Sequence, residues 1–263
     1  MPSDRPPRLQ LGDIVSTYDE GGRRLTAIDG ISLTVGVSEF VALVGPSGSG
    51  KSTLLDIVSG LIAPDRGQVW LDGEPTIAAQ RLGRSAYMQQ RDLLLPWRTT
   101  LSNAALGLEV SGVPRRDAEH AAAAELWRFG LEGFGDVYPA QLSGGMRQRA
   151  AFLRTILPRK ELLLLDEPFG ALDALTRSDL QSWLATLWEQ ERTSVLLVTH
   201  DVEEAIFLAD RVVVLTSRPG RIASELIVSL PRPRTRAMIA SPAFIRDRAA
   251  LLSALGLLNG PGA

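Results

Sequence analysis

The stretch that indicates the fold of this chain is Gly45-Pro46-Ser47-Gly48-Ser49-Gly50-Lys51-Ser52-Thr53. The apolar run Phe40–Val44 before it predicts a short buried strand, and the apolar positions among residues 54–58 predict a helix that ends near Gly60. Glycines let a backbone curl so that successive N–H groups point at phosphate oxygens, and a helix N-terminus adds its partial positive charge. The order of strand, glycine loop and helix therefore predicts a phosphate-binding loop in an α/β nucleotide-binding core.

Two side chains of this loop carry the predicted chemistry. Lys51 can reach the β- and γ-phosphates of a nucleotide, and the hydroxyl of Ser52 can bind Mg²⁺. The alternative is a Gly/Ser-rich turn that contains a lysine by chance. Composition argues against that alternative, because Lys51 and Lys160 are the only lysines among the 28 Lys and Arg residues of the chain.

Composition limits the classes of protein to which the chain can belong. Its 263 residues, 45% of them hydrophobic, suffice for one large or two small domains with a full core. The absence of cysteine excludes disulfides and thiolate metal sites. We expect no signal peptide and no membrane span, since no apolar run approaches the roughly 18 residues that a span needs. The net charge of −2 argues against non-specific nucleic-acid binding, and we expect Arg232, Arg234 and Arg236 to lie in a solvated linker.

A pair of adjacent acids follows a second apolar run, in Leu162-Leu163-Leu164-Leu165-Asp166-Glu167-Pro168. Four leucines in a row predict a strand buried on both faces, which would place the acids at the carboxyl edge of a sheet, where α/β folds bind ligands. There, Asp166 would hold Mg²⁺ through its water shell, and Glu167 would orient or deprotonate an attacking water. The alternative is a strand that ends in a solvated acidic turn.

A third motif, Leu142-Ser143-Gly144-Gly145-Met146-Arg147-Gln148-Arg149, lies between these two. Ser143 is a favourable N-cap, and Gly144 and Gly145 leave backbone N–H groups uncovered at a helix N-terminus. The motif predicts a second anion site on the same chain, or else a capped helix with a flexible start.

The remaining pattern predicts three zones. Residues 9–18, 25–35 and 69–72 alternate apolar and polar residues, which favours an antiparallel sheet beside the nucleotide. Helical periodicity predominates from about residue 91 to residue 157. After that, apolar strand runs alternate with helices, which is typical of a largely parallel sheet. We expect one domain over residues 1–230 with the helical part (91–157) inserted, followed by a linker and a C-terminal helix over residues 231–263.

Together with Val198-Thr199-His200-Asp201, the three motifs resemble those of ATP-binding-cassette ATPases in order and approximate spacing, over about residues 9–230. The resemblance implies an α/β fold: a P-loop NTPase core with a mostly parallel sheet, an antiparallel β subdomain and an inserted helical subdomain. It also implies ATP and Mg²⁺ as cofactors. In the implied head-to-tail dimer, each ATP lies between the phosphate loop of one copy and residues Ser143, Gly144 and Gly145 of the other.

Further roles follow from the resemblance one position at a time. Gln90 resembles a glutamine that touches Mg²⁺ and the attacking water, with Gln89 as a competitor for that role. His200 resembles a histidine that contacts the γ-phosphate, or it is a structural histidine. Asp173 resembles an aspartate that contacts the opposite subunit, or it caps the next helix. Tyr18 resembles the aromatic residue that stacks on adenine, or it points into the core.

The sequence therefore predicts the following site residues. The catalytic residues are Glu167, His200 and Gln90, and the Mg²⁺ ligands are Ser52, Gln90 and Asp166. The nucleotide-binding residues are Tyr18, Gly45, Pro46, Ser47, Gly48, Ser49, Gly50, Lys51, Ser52, Thr53, Ser143, Gly144, Gly145 and Asp173.

Three features resemble one subgroup of this family, the importers of nitrate, sulfonates, taurine and related small organic solutes. They are Met146, Leu94-Leu95-Pro96-Trp97 and Phe169-Gly170-Ala171-Leu172-Asp173. The apolar run Leu93-Leu94-Leu95-Pro96-Trp97 follows Gln90 closely. It predicts either a surface that docks a short helix of a membrane partner or an anchor of the helical subdomain to the core.

These observations favour an ATP-hydrolysing subunit of a solute importer, peripheral at the cytoplasmic face of the membrane. The implied partners are a second copy of the chain, transmembrane permease subunits and, indirectly, an extracytoplasmic solute-binding protein, without nucleic acid. The alternatives are a soluble cassette ATPase for iron–sulfur assembly, translation or DNA repair, and a clamp that binds ATP without hydrolysing it.

Overall fold

The computed structural model describes residues 5–170 and 172–257. The strands of these residues are β1 (Leu9–Glu20), β2 (Arg23–Val35), β3 (Phe40–Val44), β4 (Arg66–Leu71), β5 (Glu74–Thr76), β6 (Ala86–Met88), β7 (Leu162–Asp166), β8 (Ser194–Thr199), β9 (Arg211–Leu215) and β10 (Ile222–Ile227). The α-helices are α1 (Lys51–Ser59), α2 (Ala78–Arg81), α3 (Thr100–Val110), α4 (Arg115–Glu125), α5 (Gly144–Ile156), α6 (Ala174–Glu191), α7 (Val202–Leu208) and α8 (Pro242–Ala254).

The larger sheet has six strands in the order β10-β9-β3-β8-β7-β6. All its neighbouring pairs are parallel except β10 with β9, so the predicted mostly parallel sheet is confirmed. Each face of the sheet contributes to a separate core. In β3, Phe40 and Val44 pack with α5, α6 and α7, whereas Val41 and Leu43 pack with α1. Burial on both faces explains why these strands are apolar throughout rather than alternating.

The smaller sheet is antiparallel, in the order β2-β1-β4-β5. Its inner side chains, among them Leu9 and Ile31, pack in the same core as Leu54 and Leu55 of α1. The predicted antiparallel subdomain is thus present, and it lies against the helix that begins at the glycine loop.

Three helices, α3, α4 and α5, lie between β6 and β7, as predicted for the inserted helical subdomain. Helix α4 ends at Glu125, and a 3₁₀ segment, Leu126–Phe129, follows it directly. Among the described residues, no helix is long and apolar enough to cross a membrane.

Four elements, β5, α2, β6 and β10, were not predicted from the sequence. The first three have only three or four residues, too few to show a period. In β10, half-buried and exposed residues alternate at the edge of the sheet, so its apolar signal is weak.

The prediction that the arginine cluster is solvated is wrong. Arg234 is only 8% exposed, and it donates hydrogen bonds to the carbonyls of Ile206, Phe207 and Ala209 at the end of α7. Helices end with carbonyls that lack intrahelical donors, and a buried guanidinium supplies several donors at once. The need of these carbonyls for hydrogen-bond donors explains why an arginine is buried here.

The flanking arginines are docked as well. Arg232 lies 3.9 Å from the ring centroid of Trp188 and forms ion pairs with Asp210 and Glu189. Arg236 donates to α6, and its guanidinium lies 4.5 Å from the ring centroid of Phe207. The segment after residue 230 therefore packs on the core, while the domain boundary at residue 230 stays a prediction. Helix α8, Pro242–Ala254, lies in the predicted C-terminal region, of which residues 258–263 lie outside the described residues.

Candidate functional site

A cavity of about 470 Å³ lies at the carboxyl edge of the six-stranded sheet. The predicted loop contributes Ser47, Gly48, Gly50, Lys51, Ser52 and Thr53 to its wall. Tyr18, Gln90, Glu167 and His200 also line it. Strands β3, β6, β7 and β8 run parallel, so the residues that follow them meet at one edge, and the sequence predictions converge there for that reason.

The glycine loop has a backbone that other residues would not adopt easily. Gly48 and Gly50 have φ values of 78° and 85°, in the left-handed region. A Cβ on Gly50 would also lie 2.7 Å from Ile28 and 3.0 Å from the carbonyl oxygen of Ala27. Gly50 is the N-cap of α1 and offers no side-chain cap, so the first N–H groups of the helix remain available to an anion.

Lys51 is held inside the loop. Its Nζ donates to the carbonyls of Gly45 and Pro46, both at 2.9 Å, and lies 3.4 Å from the hydroxyl of Ser49. Burial lowers the pKa of Lys51, while the charges of Glu167 and Asp166 act in the opposite direction. The ammonium therefore lies in the same electrostatic environment as the two acids.

The acid pair has two distinct environments. Asp166 is the last residue of β7 and is buried, which raises its pKa, although a hydrogen bond from Ser52 works against this rise. Glu167 follows with φ of 44°, which is uncommon outside glycine, and its N–H donates to the carbonyl of Val198 at 2.8 Å. Strained backbone of this kind clusters at functional sites. Here it turns the chain so that Glu167 lines the cavity.

Glu167 connects three neighbouring parts of the site. Its Oε2 lies 3.0 Å from Nδ1 of His200 and accepts a hydrogen bond from Nε2 of Gln90 at 3.3 Å. A carboxylate only accepts, so Nδ1 of a neutral His200 carries the proton and Nε2 is left as an acceptor. The His200 side chain is 62% exposed, which leaves it accessible to a ligand.

The structure separates the two candidate glutamines. Gln90 lines the nucleotide cavity, whereas Gln89 lines only an adjoining cavity of about 440 Å³, which contains Asp56 and Tyr87. In that adjoining cavity the hydroxyl of Tyr87 donates to Asp56 at 3.1 Å. This geometry favours Gln90 for the role predicted from the sequence.

Ser52 and Asp166 fit the demands of Mg²⁺. Mg²⁺ is usually held by one or two carboxylates together with water and substrate phosphates, not by a cage of protein ligands. Among the described residues, no group of three or more His, Cys, Asp and Glu side chains could hold a metal ion. The hydroxyl of Ser52 and the buried carboxylate of Asp166, which line one cavity beside the phosphate loop, supply a donor set of the appropriate size.

Seven predicted nucleotide-binding residues do not line this cavity: Gly45, Pro46 and Ser49, which contact Lys51 within the loop, and Ser143, Gly144, Gly145 and Asp173. Ser143 caps α5, because its Oγ accepts from the N–H of Met146 at 3.2 Å, and it is exposed together with Gly144. Asp173 caps α6 by accepting from the N–H groups of Leu175 and Thr176. Ser143 and Asp173 therefore both form the helix caps that were the alternatives to their predicted contacts across a dimer.

The starts of α5 and α6 lie against each other. A Cβ on Gly145 would come within 2.6 Å of Thr176 in the first turn of α6. Ser143, Gly144, Gly145 and Asp173 therefore belong to one surface away from the cavity of their own chain.

Tyr18 does not point into the core. It is 36% exposed and lines the cavity, and the guanidinium of Arg218 lies 5.3 Å from its ring centroid. Arg218, which also lines the cavity, was missed by the sequence analysis. The available signal was its position just after the buried strand β9, whose carboxyl end meets the same edge of the sheet.

The apolar run after Gln90 divides into buried and exposed residues. Leu94 is buried, while Leu93 and Trp97 are 49% and 72% exposed. The amide of Asn103, itself buried, accepts from the N–H of Leu95 at 2.7 Å and donates to its carbonyl at 3.1 Å, which fixes the loop. Both predicted roles are therefore compatible with the run: an anchor through Leu94 and an exposed surface formed by Leu93 and Trp97.

Known proteins resemble this chain in sequence and in architecture. The profile of the ABC transporter family matches residues 28–170. The formylaminopyrimidine import ATP-binding protein ThiZ of Halalkalibacterium halodurans is 45% identical over 224 residues, which cover 85% of this chain and 86% of ThiZ. The taurine import ATP-binding protein TauB of Pseudomonas putida is 39% identical over 250 residues, which cover 93% and 94%. A dimeric, post-hydrolysis structure of the ATP-binding cassette MJ0796 with ADP and Pi has a TM-score of 0.73 and 30% identity, and covers 85% of this chain and 100% of that one.

Proposed function

This chain belongs to the ABC transporter family as an ATP-binding-cassette ATPase, and on that premise we propose that it powers the import of a small organic solute. The similarity to ThiZ and TauB, whose names are both those of import ATP-binding proteins, supports this proposal. The observation that carries it is the contact of Glu167 with His200 and Gln90 beside the phosphate loop. A soluble cassette ATPase without a membrane partner is the alternative that these names disfavour.

Glu167 acts as the general base in this proposal. Its carboxylate accepts the proton of the attacking water, and Gln90, bonded to the same oxygen, helps to orient that water. A phosphate oxygen only accepts, so His200 would contact both Glu167 and the γ-phosphate as the imidazolium, donating through Nδ1 and Nε2. Lys51 exchanges its contacts with the loop carbonyls for the β- and γ-phosphate oxygens.

Ser52 and Asp166 hold Mg²⁺ in this proposal, with Gln90 as a further ligand. When bound, Mg²⁺ would neutralise part of the negative charge on the phosphate oxygens. Tyr18 stacks on adenine in the same proposal, since its ring lies in the wall of the cavity and is partly exposed.

A second copy of the chain completes the nucleotide site. Ser143 and Gly144 are exposed at the N-terminus of α5, and neither lines the cavity of its own chain. In a head-to-tail dimer, this helix start would face the γ-phosphate bound to the other copy. The dimeric state of MJ0796 with ADP and Pi bound supports the proposed dimer.

Permease subunits are the proposed membrane partners. We define the docking patch as Leu93 and Trp97, which are exposed a few residues after Gln90. A short permease helix on this patch would sense whether Gln90 is engaged at the nucleotide. An extracytoplasmic solute-binding protein would act indirectly through the permease. The subunit would therefore be peripheral at the cytoplasmic face of the membrane, without nucleic-acid partners.

The test is purification of the tagged chain from gently solubilised native membranes, with identification of the proteins that co-purify. We expect a polytopic membrane protein in stoichiometric amount, together with Mg²⁺-dependent ATP hydrolysis by the complex. Recovery only with soluble iron–sulfur, ribosomal or repair proteins would contradict the proposed import function.

A further inference from the structure

The loop that carries His200 is tied to the start of α7. Asp201 caps this helix, since its Oδ1 accepts from the N–H groups of Glu203 at 2.9 Å and Glu204 at 3.1 Å. The N–H of Asp201 donates to the hydroxyl oxygen of Thr199 at 3.0 Å. Thr199 and Asp201, the residues on either side of His200, are therefore bonded to each other. Because Asp201 also caps α7, the position of His200 depends on where α7 begins.

Glu204 in the first turn of α7 extends this connection into the core. Its side chain is buried, and Oε2 accepts from Nε2 of Gln181 in α6 at 3.0 Å. The N–H of the same Glu204 donates to Oδ1 of Asp201 at 3.1 Å, so Glu204 connects α6 to the residue that follows His200. The charged groups that face Glu204 are Asp201 on its own helix, Arg177 of α6 and Arg236 of the C-terminal segment.

Arg236 fixes the orientation of Gln181. Its Nη2 donates to Oε1 of Gln181 at 2.7 Å, and the same guanidinium donates to the carbonyl of Ser178 and to the hydroxyl of Ser182. Because a guanidinium has donors only, the oxygen of the Gln181 amide must face Arg236 and its NH₂ group must face Glu204. Arg236 of the C-terminal segment thereby ensures that the NH₂ group of the Gln181 amide faces Glu204.

We propose that Arg236 and Gln181 are positioning residues for His200. The continuous path runs from Arg236 through Gln181 and Glu204 to Asp201, the neighbour of the histidine. The inference rests on the proposed role of His200 in ATP hydrolysis. The phosphate loop and Tyr18 hold most of the nucleotide in that proposal, so a displaced His200 should slow the chemical step more than it weakens ATP binding.

The test is steady-state Mg²⁺-ATP hydrolysis by the full chain, with kcat and KM measured separately for Arg236→Ala and Gln181→Leu. We expect kcat to fall about 3- to 10-fold in each variant, the range of coupling through such contacts, while KM changes by less than about twofold. Arg236→Lys, which retains one donor toward Gln181, should recover part of kcat.

Two comparisons separate positioning from a loss of stability. Arg248→Ala is the matched control, because Arg248 also joins the C-terminal part to α7, through an exposed ion pair with Glu203 at 3.0 Å, outside the path. It should leave kcat unchanged. The double variant of Arg236 and Gln181 should be no slower than the slower single variant, since both act through one path.

Wild-type kcat in a folded Arg236→Ala chain would overturn the inference, and so would an equal loss in Arg248→Ala or additive losses in the double variant. If Arg236→Ala does not fold, the same criteria apply to Gln181→Leu and Arg236→Lys. A wild-type chain without ATPase activity would contradict the proposed function itself.

Discussion

His200 Nδ1 lies 3.0 Å from Glu167 Oε2, so the residues that follow β7 and β8 are joined by a side-chain contact. The strands are already paired up to Asp166 and Val198, and this contact continues their connection beyond the sheet. A change at either strand end is therefore transmitted to the carboxylate that we propose as the general base.

Replacing Glu167 by glutamine should separate ATP binding from hydrolysis. Glutamine retains the size of the side chain but cannot accept the proton of the attacking water, so the rate of hydrolysis should fall roughly 10²-fold or more. Loss of the negative charge should also lengthen the lifetime of the closed dimer. Size-exclusion chromatography with Mg²⁺-ATP should therefore show a dimer.

Ser143→Arg in the Glu167→Gln background is the control for the cross-subunit site. An arginine at the start of α5 should block the opposite nucleotide, so the double variant should elute as a monomer. A dimer that tolerates Ser143→Arg would contradict the head-to-tail arrangement, and wild-type turnover of Glu167→Gln would contradict the role of Glu167.

Lys51→Ala should weaken ATP binding about 10- to 100-fold, the equivalent of one hydrogen bond to a charged group. The change removes the ammonium that now bonds to the carbonyls of Gly45 and Pro46. Fluorescent-nucleotide titration measures the effect. Lys160→Ala is the matched control, because Lys160 does not line the nucleotide cavity. Equal ATP affinity in the two variants would exclude the proposed role of the loop.

Removing the docking patch with Leu93→Ala and Trp97→Ala should weaken association with permease-containing membranes at least about tenfold, since exposed aromatic residues are frequent interface anchors. Co-sedimentation measures this, and ATP hydrolysis without membranes should be nearly unchanged. Trp127→Ala is the control, because Trp127 is 66% exposed and does not belong to the patch. Undiminished membrane binding of the double variant would refute docking at this patch.

Arg234→Ala should lower the free energy of unfolding by about 2–4 kcal/mol, because it leaves several carbonyls at the end of α7 without donors. Urea denaturation measures the loss. Arg248→Ala, which breaks the exposed ion pair with Glu203, should cost at most about 1 kcal/mol. Similar losses in the two variants would contradict the assigned role of the buried arginine.

Glu204 should make the stability of the chain depend on pH. Burial raises the pKa of Glu204 from its ordinary value of 4.5 to about 8. Between these values the folded chain retains a proton that the unfolded chain has lost, so this group destabilises the fold as the pH rises, and its effect levels off above pH 8. The slope is at most about 1.4 kcal/mol per pH unit.

Unfolding in urea at pH 6, 7, 8 and 9 should therefore show a decline that Glu204→Gln lacks. Glu203→Gln, at the exposed neighbouring position, should retain the decline of the wild type. Parallel pH curves for the wild type and Glu204→Gln would show that Glu204 does not retain its proton in the fold.

The sequence predicted the elements that local signals define. Helices α6 and α7 alternate with the strand runs as predicted, and each begins directly after an aspartate, Asp173 or Asp201, whose side chain caps it. The phosphate loop and the acid pair were also local patterns. Arg218 and Arg234 depend on distant contacts: one meets Tyr18 across the cavity, and the other meets carbonyls 25 to 28 residues earlier. No composition rule distinguishes such arginines from solvated ones.

Because Lys51 is buried, chemical modification of lysines can report on the state of the loop. The chain has no cysteine, and its only other lysine, Lys160, is half-buried. While the loop carbonyls hold the Lys51 ammonium, an acylating reagent should modify Lys160 first and Lys51 slowly. The ratio of the two acylated peptides in a mass spectrum would then report, without any engineered label, how often the loop releases its lysine.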